Sequence, residues 1–381
     1  MTDDHLQGPS AAATRRRVTV VVPTYKEVDN LPHLIDRLAQ VRAQSGFDLD
    51  VIIMDDDSRD GSEALVTSRP EPWVRIVVRT ANRGLSPAVL EGMQRAEGEI
   101  LVCMDADLSH PPESIPRLIA KLDEGADFVL GSRYVSGGTT SDDWGVFRWL
   151  NSQVAILLAR PLTSARDPMA GFFAFRRTTF EGGAAFNPIG YKIGLELIVK
   201  CRCERVVEVP IHFEDRQLGT SKLTLRQQLY YLKHLRRLYI FKYGAWSQLA
   251  QFLVVGAVGT GINLVLLTLL LALGLAARPA VAVAILLSMG FNFALNRRFS
   301  FGDARRDSWL RQLAGFVAAC SLGAGINYLV ALWVMGPAIG ARPQPAALAG
   351  IAAATAFNFV ASRYLVFRSS HIRPPKTTIT K

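Results

Sequence analysis

The chain of 381 residues is short of several things. It has only four cysteines and six histidines. Cys103 and Cys320 stand alone in apolar runs, and Cys201 and Cys203 alternate in a strand-like stretch with no second Cys or His pair. A structural zinc site is disfavoured because half of its ligand set is missing, and nothing suggests a disulfide framework. No His-Glu-x-x-His spacing occurs, which disfavours hydrolytic metal chemistry. Charge is missing by region. None occurs from Trp246 to Ala277, and after Arg278 none until Asn296 is passed. Leu313 to Ala341 and Pro343 to Ser362 are also free of it. Apolar runs of about 18 or more residues without charge read as membrane spans, so a wholly soluble protein is excluded. Residues 1–17 are polar and end in three arginines with no apolar core behind them. They read as a disordered N-terminus rather than a signal peptide.

What is present sorts into two halves. Lys and Arg number 43 against 33 Asp and Glu, a net charge of +10. Beside membrane spans, such an excess points to an anionic membrane surface, not to nucleic acid. Four spans are expected near 249–271, 279–296, 313–335 and 345–362. Arg297, Arg298, Arg305, Arg306 and Arg311 fill the middle connection, and Arg363, Arg368, Arg373, Lys376 and Lys381 the tail. The positive-inside rule therefore places both termini and the middle loop in the cytoplasm, at an inner or plasma membrane. The membrane half also repeats itself. Gly261-Ile262-Asn263 recurs as Gly325-Ile326-Asn327, and Phe291-Asn292-Phe293 as Phe357-Asn358-Phe359. Two helical hairpins of the same orientation would produce this, with the asparagines bonding across helices or lining a lipid path.

In the first half, short β-branched runs alternate with helical patterns. Strands are expected at Val18–Pro23, Asp50–Met54, Val74–Val78, Glu99–Met104 and Asp127–Leu130, with a helix from Leu31 capped by Asn30. Alternation of this kind predicts a doubly wound, mainly parallel α/β sheet, whose ligands sit beyond the carboxyl ends of the strands. Leu225, Leu229, Leu232, Leu235, Leu238 and Phe241 recur at helical spacing among lysines, arginines and tyrosines. Such a basic amphipathic segment just before a span reads as an interfacial helix.

Three acidic clusters fall at strand ends: Pro23-Thr24-Tyr25-Lys26-Glu27, Asp55-Asp56-Asp57-Ser58-Arg59-Asp60-Gly61 and Met104-Asp105-Ala106-Asp107-Leu108-Ser109-His110. An Asp-x-Asp after a buried strand offers hard oxygen ligands suited to Mg²⁺ or Mn²⁺ shared with substrate phosphates.

These motifs carry a resemblance. With Gly131-Ser132-Arg133-Tyr134, the stretches 167–173 and 187–196, and Phe213, Arg216 and Gly219–Lys222, residues 18–222 resemble the polyprenol-phosphate (dolichol-phosphate) mannose synthases. Those are family 2 glycosyltransferases of the GT-A fold. Residues 249–367 resemble the GtrA-like four-span domain. The resemblance implies a GT-A domain over 18–222, amphipathic interface helices over 223–245, a membrane domain over 246–368 and a tail over 369–381. It implies that Pro23, Tyr25, Glu27, Asp55, Asp56, Asp57 and Asp105 hold the nucleotide. Asp105, Asp107 and Ser109 would hold the metal, with Ser109 standing where some members have a glutamine. Arg133, Arg148 and Arg216 would act on the phosphates, and Arg148, Ser152, Arg216, Ser221 and Lys222 would take the lipid phosphate.

The expected reaction is inverting transfer of mannose from GDP-mannose to a polyprenyl or dolichyl phosphate. The alternatives are sugar transfer from a UDP-sugar to undecaprenyl phosphate, or a flippase role for the membrane half. A processive polysaccharide synthase is disfavoured, since Gly145 stands where the Gln of a Gln-x-x-Arg-Trp motif would precede Arg148-Trp149. The chain carries no sign of its oligomeric state.

Overall fold

A computed structural model describes residues 15–140, 146–214, 225–301, 308–340 and 343–367. The chain divides into two compact units, the first ending at Lys242 and the second beginning at Tyr243.

Among the described residues the first unit holds nine strands: β1 Arg17–Thr24, β2 Asp48–Asp55, β3 Val74–Val78, β4 Ile100–Cys103, β5 Phe128–Ser132, β6 Thr139–Thr140, β7 Phe173–Arg176, β8 Val206–Pro210 and β9 His212–Phe213. Its helices are α1 Leu31–Ser45, α2 Ser62–Thr67, α3 Leu85–Arg95, α4 Ile115–Asp123, α5 Val146–Ala159, α6 Arg177–Glu181, α7 Ile193–Lys200 and α8 Leu225–Tyr243. Seven strands form one sheet in the order β3-β2-β1-β4-β7-β5-β8. Apolar strands buried on both faces, such as β1 and β4, fit a sheet covered by helices on either side. The expected doubly wound, mainly parallel architecture is present, with the order reversing between β1 and β4. A crevice opens at such a switch point, beyond the strand ends.

One strand runs backwards. β7 is antiparallel to both β4 and β5. Its first residue therefore lies at the edge where its neighbours end, and the segment before it, from Asp167 to Phe172, is delivered to that edge. Two sequence expectations need correction. Asn30 does not cap α1 through its side chain: its backbone is already helical, and its Nδ2 donates to Glu27 Oε2 at 2.6 Å. Pro32 in the first turn supplies the helical φ without needing the missing donor. Cys201 and Cys203 sit in the turn that ends α7, not in a strand.

Helix α8 packs on this unit. Leu235 and Leu238 are buried with Ala159, Leu162, Leu195 and Val199. Tyr231 and Tyr239 donate to the carbonyls of Ala155 and Leu158, at 2.6 and 2.8 Å, at the end of α5. Its other face leaves Leu229 and Leu232 exposed, as α5 leaves Leu150, Val154 and Leu157.

Among the described residues the second unit holds four long helices, α9 Ala245–Ala272, α10 Ala277–Leu295, α11 Trp309–Met335 and α12 Pro343–Ala361. Among the described residues, three segments (Ala245–Ala272, Trp309–Met335 and Leu348–Val366) are long and apolar enough to cross a membrane. The sequence repeat is visible as structure. Each hairpin ends in a π-helical turn, Asn296–Ser300 and Ser362–Val366. Arg297 Nε in the first turn donates to Gln312 Oε1 at 2.7 Å, at the start of α11. Arg363 in the second donates to Gln248, at the start of α9. The phenylalanines follow the same rule. Phe301 stacks on its counterpart Phe367 at 4.8 Å, while Phe252 meets Phe359 as Phe316 meets Phe293. Asn292 packs against Gly259 and Asn358 against Gly323, where an added Cβ would collide with the amide. Neither amide oxygen has a hydrogen-bond partner among the described residues.

Candidate active site

The loops after β1, β2 and β4 converge at the switch point, and each contains a non-glycine residue in the left-handed region: Lys26, Asp57 and Leu108. Strain of this kind persists only where the surroundings hold it, and it clusters at functional sites. The first two loops are latched together. Lys26 N–H donates to Ser58 Oγ at 2.8 Å, and Val28 N–H to Asp60 Oδ2 at 3.2 Å.

The three successive aspartates have different tasks. Asp55 is buried and accepts both the N–H and the hydroxyl of Ser58. Asp56 pairs with Arg79, whose side chain is almost wholly buried, and accepts the Gly84 N–H at 2.6 Å. Arg79 also bonds Glu91 Oε2 at 2.8 Å. Asp57 meets Arg59 at 3.0 Å and Arg83, and these cations hold its carboxyl below the usual carboxylate range. Asp55 and Asp56 thus shape the loop from within, while Asp57 is held by the exposed cations of Arg59 and Arg83; Tyr25, just past β1, is exposed. Pro23 is buried at the end of β1, opposite Met54.

At the end of β4, Asp105 and Asp107 are held by their own loop. His110 Nδ1 accepts the Asp105 N–H at 3.1 Å. The imidazole is buried between Phe172 and Phe213, and burial lowers its pKa against the pull of Asp105 and Asp107. It is therefore a neutral acceptor. Ser109 donates its N–H and its hydroxyl to Asp107 Oδ1, at 3.2 and 2.6 Å, and so braces that carboxylate from behind. Gly171 closes over Asp105: an added Cβ would stand 3.2 Å from Oδ2 and 3.3 Å from the His110 ring. Asp105 and Asp107 supply two hard carboxylates, and no group of three Asp, Glu, His or Cys side chains able to hold a metal occurs among the described residues. That donor set fits an ion such as Mg²⁺, which keeps several waters and shares substrate phosphates.

Arg133, just past β5, is paired fork to fork with Asp167 and lies against the Phe213 ring at 5.0 Å. Asp167 is itself fixed by its backbone: the N–H groups of Arg166 and Asp167 donate to Glu208 at 2.7 and 2.8 Å. Arg133 also forms one end of a cavity of about 350 Å³ between α5 and α8. Val154, Ala155, Leu158, Met169, Tyr230 and Leu232 are among its walls, and Asn151, Ser152 and Lys192 lie with Arg133 among its polar lining. The Ser152 hydroxyl is 2.9 Å from the Tyr134 hydroxyl.

Lys192 was not singled out by its sequence position. It is half-buried, and its ammonium has no hydrogen-bond partner among the described residues. Burial lowers its pKa first, and Arg133 lowers it further, against the pull of Asp167 and Asp105. A desolvated lysine beside an arginine is a place built for an anion. Its only sequence signal was membership of the stretch 187–196. Arg148 lies on α5, but its side chain is outside the described ones, and Arg216, Ser221 and Lys222 lie outside the described residues.

Comparison with known proteins identifies the family. Residues 19–183 match the model of Glycosyl transferase family 2, and residues 251–367 that of the GtrA/DPMS transmembrane domain. A dolichol-phosphate mannosyltransferase of Pyrococcus furiosus is 37% identical over 92% of this chain and 99% of its own. The Saccharomyces cerevisiae protein of the same name is 43% identical over 60% of this chain and 88% of its own. A polyprenol monophosphomannose synthase of Mycolicibacterium smegmatis is 36% identical over 57% and 85%. Among solved structures, mannosyl-3-phosphoglycerate synthase from Rubrobacter xylanophilus aligns at 19% identity over 59% of this chain and 74% of its own, with a TM-score of 0.48. The match to the Pyrococcus protein runs through both halves, and the chain accordingly belongs to the dolichol-phosphate mannosyltransferases, as a family 2 glycosyl transferase domain joined to a GtrA/DPMS transmembrane domain in a membrane protein.

Proposed function

We propose that this chain transfers mannose from GDP-mannose to a polyprenyl phosphate of the dolichyl type, with inversion, giving polyprenyl-phosphate β-mannose. The observation that carries the reading is the cavity: apolar walls from α5 and α8 lead to a cationic end at Arg133 and Lys192, and both cations feel Asp105 at the edge of the sheet. A lipid chain fits the first and its phosphate the second.

The acceptor is a phosphate monoester, already ionised at neutral pH, so its oxygen attacks the anomeric carbon without a strong general base. The bond from that carbon to the diphosphate breaks, and the electron pair leaves with the nucleotide. The protein's task is to bring two anionic groups together. Arg133 and Lys192, with Arg148 and Ser152 on α5 and Arg216, Ser221 and Lys222 from the following loop, are proposed to neutralise and orient the acceptor phosphate. Pro23, Tyr25, Glu27 and Asp55–Asp57 are proposed to form the nucleotide side. A bound Mg²⁺ or Mn²⁺ would offset the charge on the departing diphosphate, and Asp105 and Asp107 would hold it, with Ser109 orienting Asp107.

The proposal includes four spans with both termini in the cytoplasm, so that the reaction would run at the cytoplasmic membrane face. The exposed Leu150, Val154, Leu157, Leu229 and Leu232 beside the cavity suit a surface that meets lipid. The test is purified full-length protein with radiolabelled GDP-mannose, polyprenyl phosphate and Mg²⁺ or Mn²⁺. Labelled lipid supports the reading; labelled lipid from UDP-glucose instead would sink the mannose assignment.

A further inference from the structure

The cavity-lining loop 187–192 hangs from two buried ionisable residues that the chemistry above does not use. Glu196, on α7, is 1% exposed, and His234, on α8, is 0% exposed. The Asn187 N–H donates to Glu196 Oε1 at 2.8 Å, and the Ile189 N–H donates to His234 Nδ1 at 3.2 Å. His234 Nε2 faces Glu196 Oε2 at 3.6 Å. Arg237, one helical turn past His234, donates to the Asn187 carbonyl at 3.3 Å, and Ser86 to that of Gly190 at 2.6 Å.

An imidazole whose Nδ1 accepts a backbone N–H carries its remaining proton on Nε2. Burial, with the like charges of Arg237 and Lys200, lowers the His234 pKa to about 4, so the ring stays a neutral acceptor. Burial holds Glu196 above its usual range. Removing two ionisable groups from water is costly, and a well-packed apolar pair would stabilise a plain helix contact as well or better. What an apolar pair could not do is accept two loop N–H groups. Those two bonds fix alternate residues of the loop, and Lys192 follows three residues after Ile189. One bond comes from α7. The other comes from α8, whose Gln227, Gln228 and Tyr230–Leu232 also line the cavity.

We infer that Glu196 and His234 are positioning residues for the acceptor end of the cavity: by accepting the Asn187 and Ile189 N–H groups they set the loop that carries Lys192, and they make its conformation depend on the docking of α8. This rests on the acceptor reading proposed above.

The test uses the full-length enzyme with GDP-mannose and polyprenyl phosphate. His234→Leu and Glu196→Leu remove the acceptors. His234→Asn keeps an acceptor near the Nδ1 position, and Glu196→Gln keeps a carbonyl for Asn187. Losing one buried acceptor costs enough for a rise of about tenfold or more in KM for the lipid phosphate in each leucine variant. The donor KM should stay within about twofold, and the Asn and Gln variants should lie near wild type. Unchanged lipid KM in the leucine variants would overturn the inference, as would donor and lipid KM rising together. Should the leucine variants fail to fold, amide exchange in the wild type decides. Slow exchange at Asn187 and Ile189 relative to Gly190 is expected, and equally fast exchange overturns the proposal. A wild-type enzyme that transfers nothing to any polyprenyl phosphate would instead sink the acceptor reading itself, and this inference with it.

Discussion

Arg133 and Asp167 face each other through two parallel bonds, Nε to Oδ2 at 2.8 Å and the terminal nitrogen to Oδ1 at 2.9 Å, and Asp167 is wholly buried. The pair holds the guanidinium at the cavity end instead of leaving it to find the acceptor. Removing one member of a buried pair leaves an uncompensated charge, at a cost of about 3–5 kcal/mol. Asp167→Ala should therefore lower the apparent unfolding temperature and abolish lipid mannosylation. Arg133→Met with Asp167→Leu should recover much of the stability and none of the activity. Thermal unfolding in detergent and product formation, measured on the same samples, check both.

Asp107 and its brace separate a metal role from a structural one. Asp107→Ala should remove metal-dependent transfer, whereas Ser109→Ala should raise the metal concentration for half-maximal activity by about tenfold, the order expected when a group orienting a ligand is lost. Activity against Mn²⁺ concentration is the measurement, and full activity in Asp107→Ala would remove the metal role.

The cavity walls should read the lipid tail. Ala155→Trp would fill space near the middle of the cavity, and its effect should grow with chain length. Transfer to a long polyprenyl phosphate should fall by tenfold or more, by about the 1–3 kcal/mol that overpacking costs, with the donor KM unchanged. Equal losses for farnesyl phosphate and a long-chain acceptor would argue against a tail path between α5 and α8.

His234 predicts a pH dependence of stability with a definite sign. Its pKa falls from 6.5 to about 4 on folding, so between those values the unfolded chain binds a proton that the folded one refuses. Its contribution is complete above pH 6.5 and is lost as pH falls toward 4, by about 3 kcal/mol over the window. Glu196, held above its usual range by burial, acts in the opposite sense as pH falls. The difference between wild type and His234→Asn isolates the histidine: the variant's unfolding temperature should fall less between pH 7 and pH 5. Parallel curves would contradict the buried neutral imidazole.

The positions of the parallel strands were legible because β1, β2, β4 and β5 are short apolar runs followed by acidic or glycine-containing turns. The clusters at their ends marked the crevice for the same reason. β7 was not legible. Four residues, Phe173–Arg176, carry no sign of direction, and direction is what brings Asp167 and Gly171 to the acidic edge. Helix α8 was legible as amphipathic, but periodicity states only that one face is apolar. Packing decides what covers it, and here Leu235 and Leu238 meet α5 and α7 while Leu229 and Leu232 do not. His234 gave no signal and Lys192 none beyond its place in the stretch 187–196, since a lone lysine or histidine has no spacing to read. The separate tasks of Asp55, Asp56 and Asp57 depend on Ser58, Arg79 and Arg83, and only the folded loop brings those residues to them.

The exchanged bonds of the membrane unit have a consequence for how it is assembled. Arg297 of the first hairpin is satisfied by Gln312 of the second, and Arg363 of the second by Gln248 of the first. Each hairpin thus supplies a side-chain acceptor to an arginine of the other. The unit is in effect a two-fold dimer written into one polypeptide. Cutting the chain between α10 and α11 should leave two fragments that are each unstable alone yet recover activity when co-expressed, and Arg297→Ala with Arg363→Ala in the same fragments should prevent that recovery.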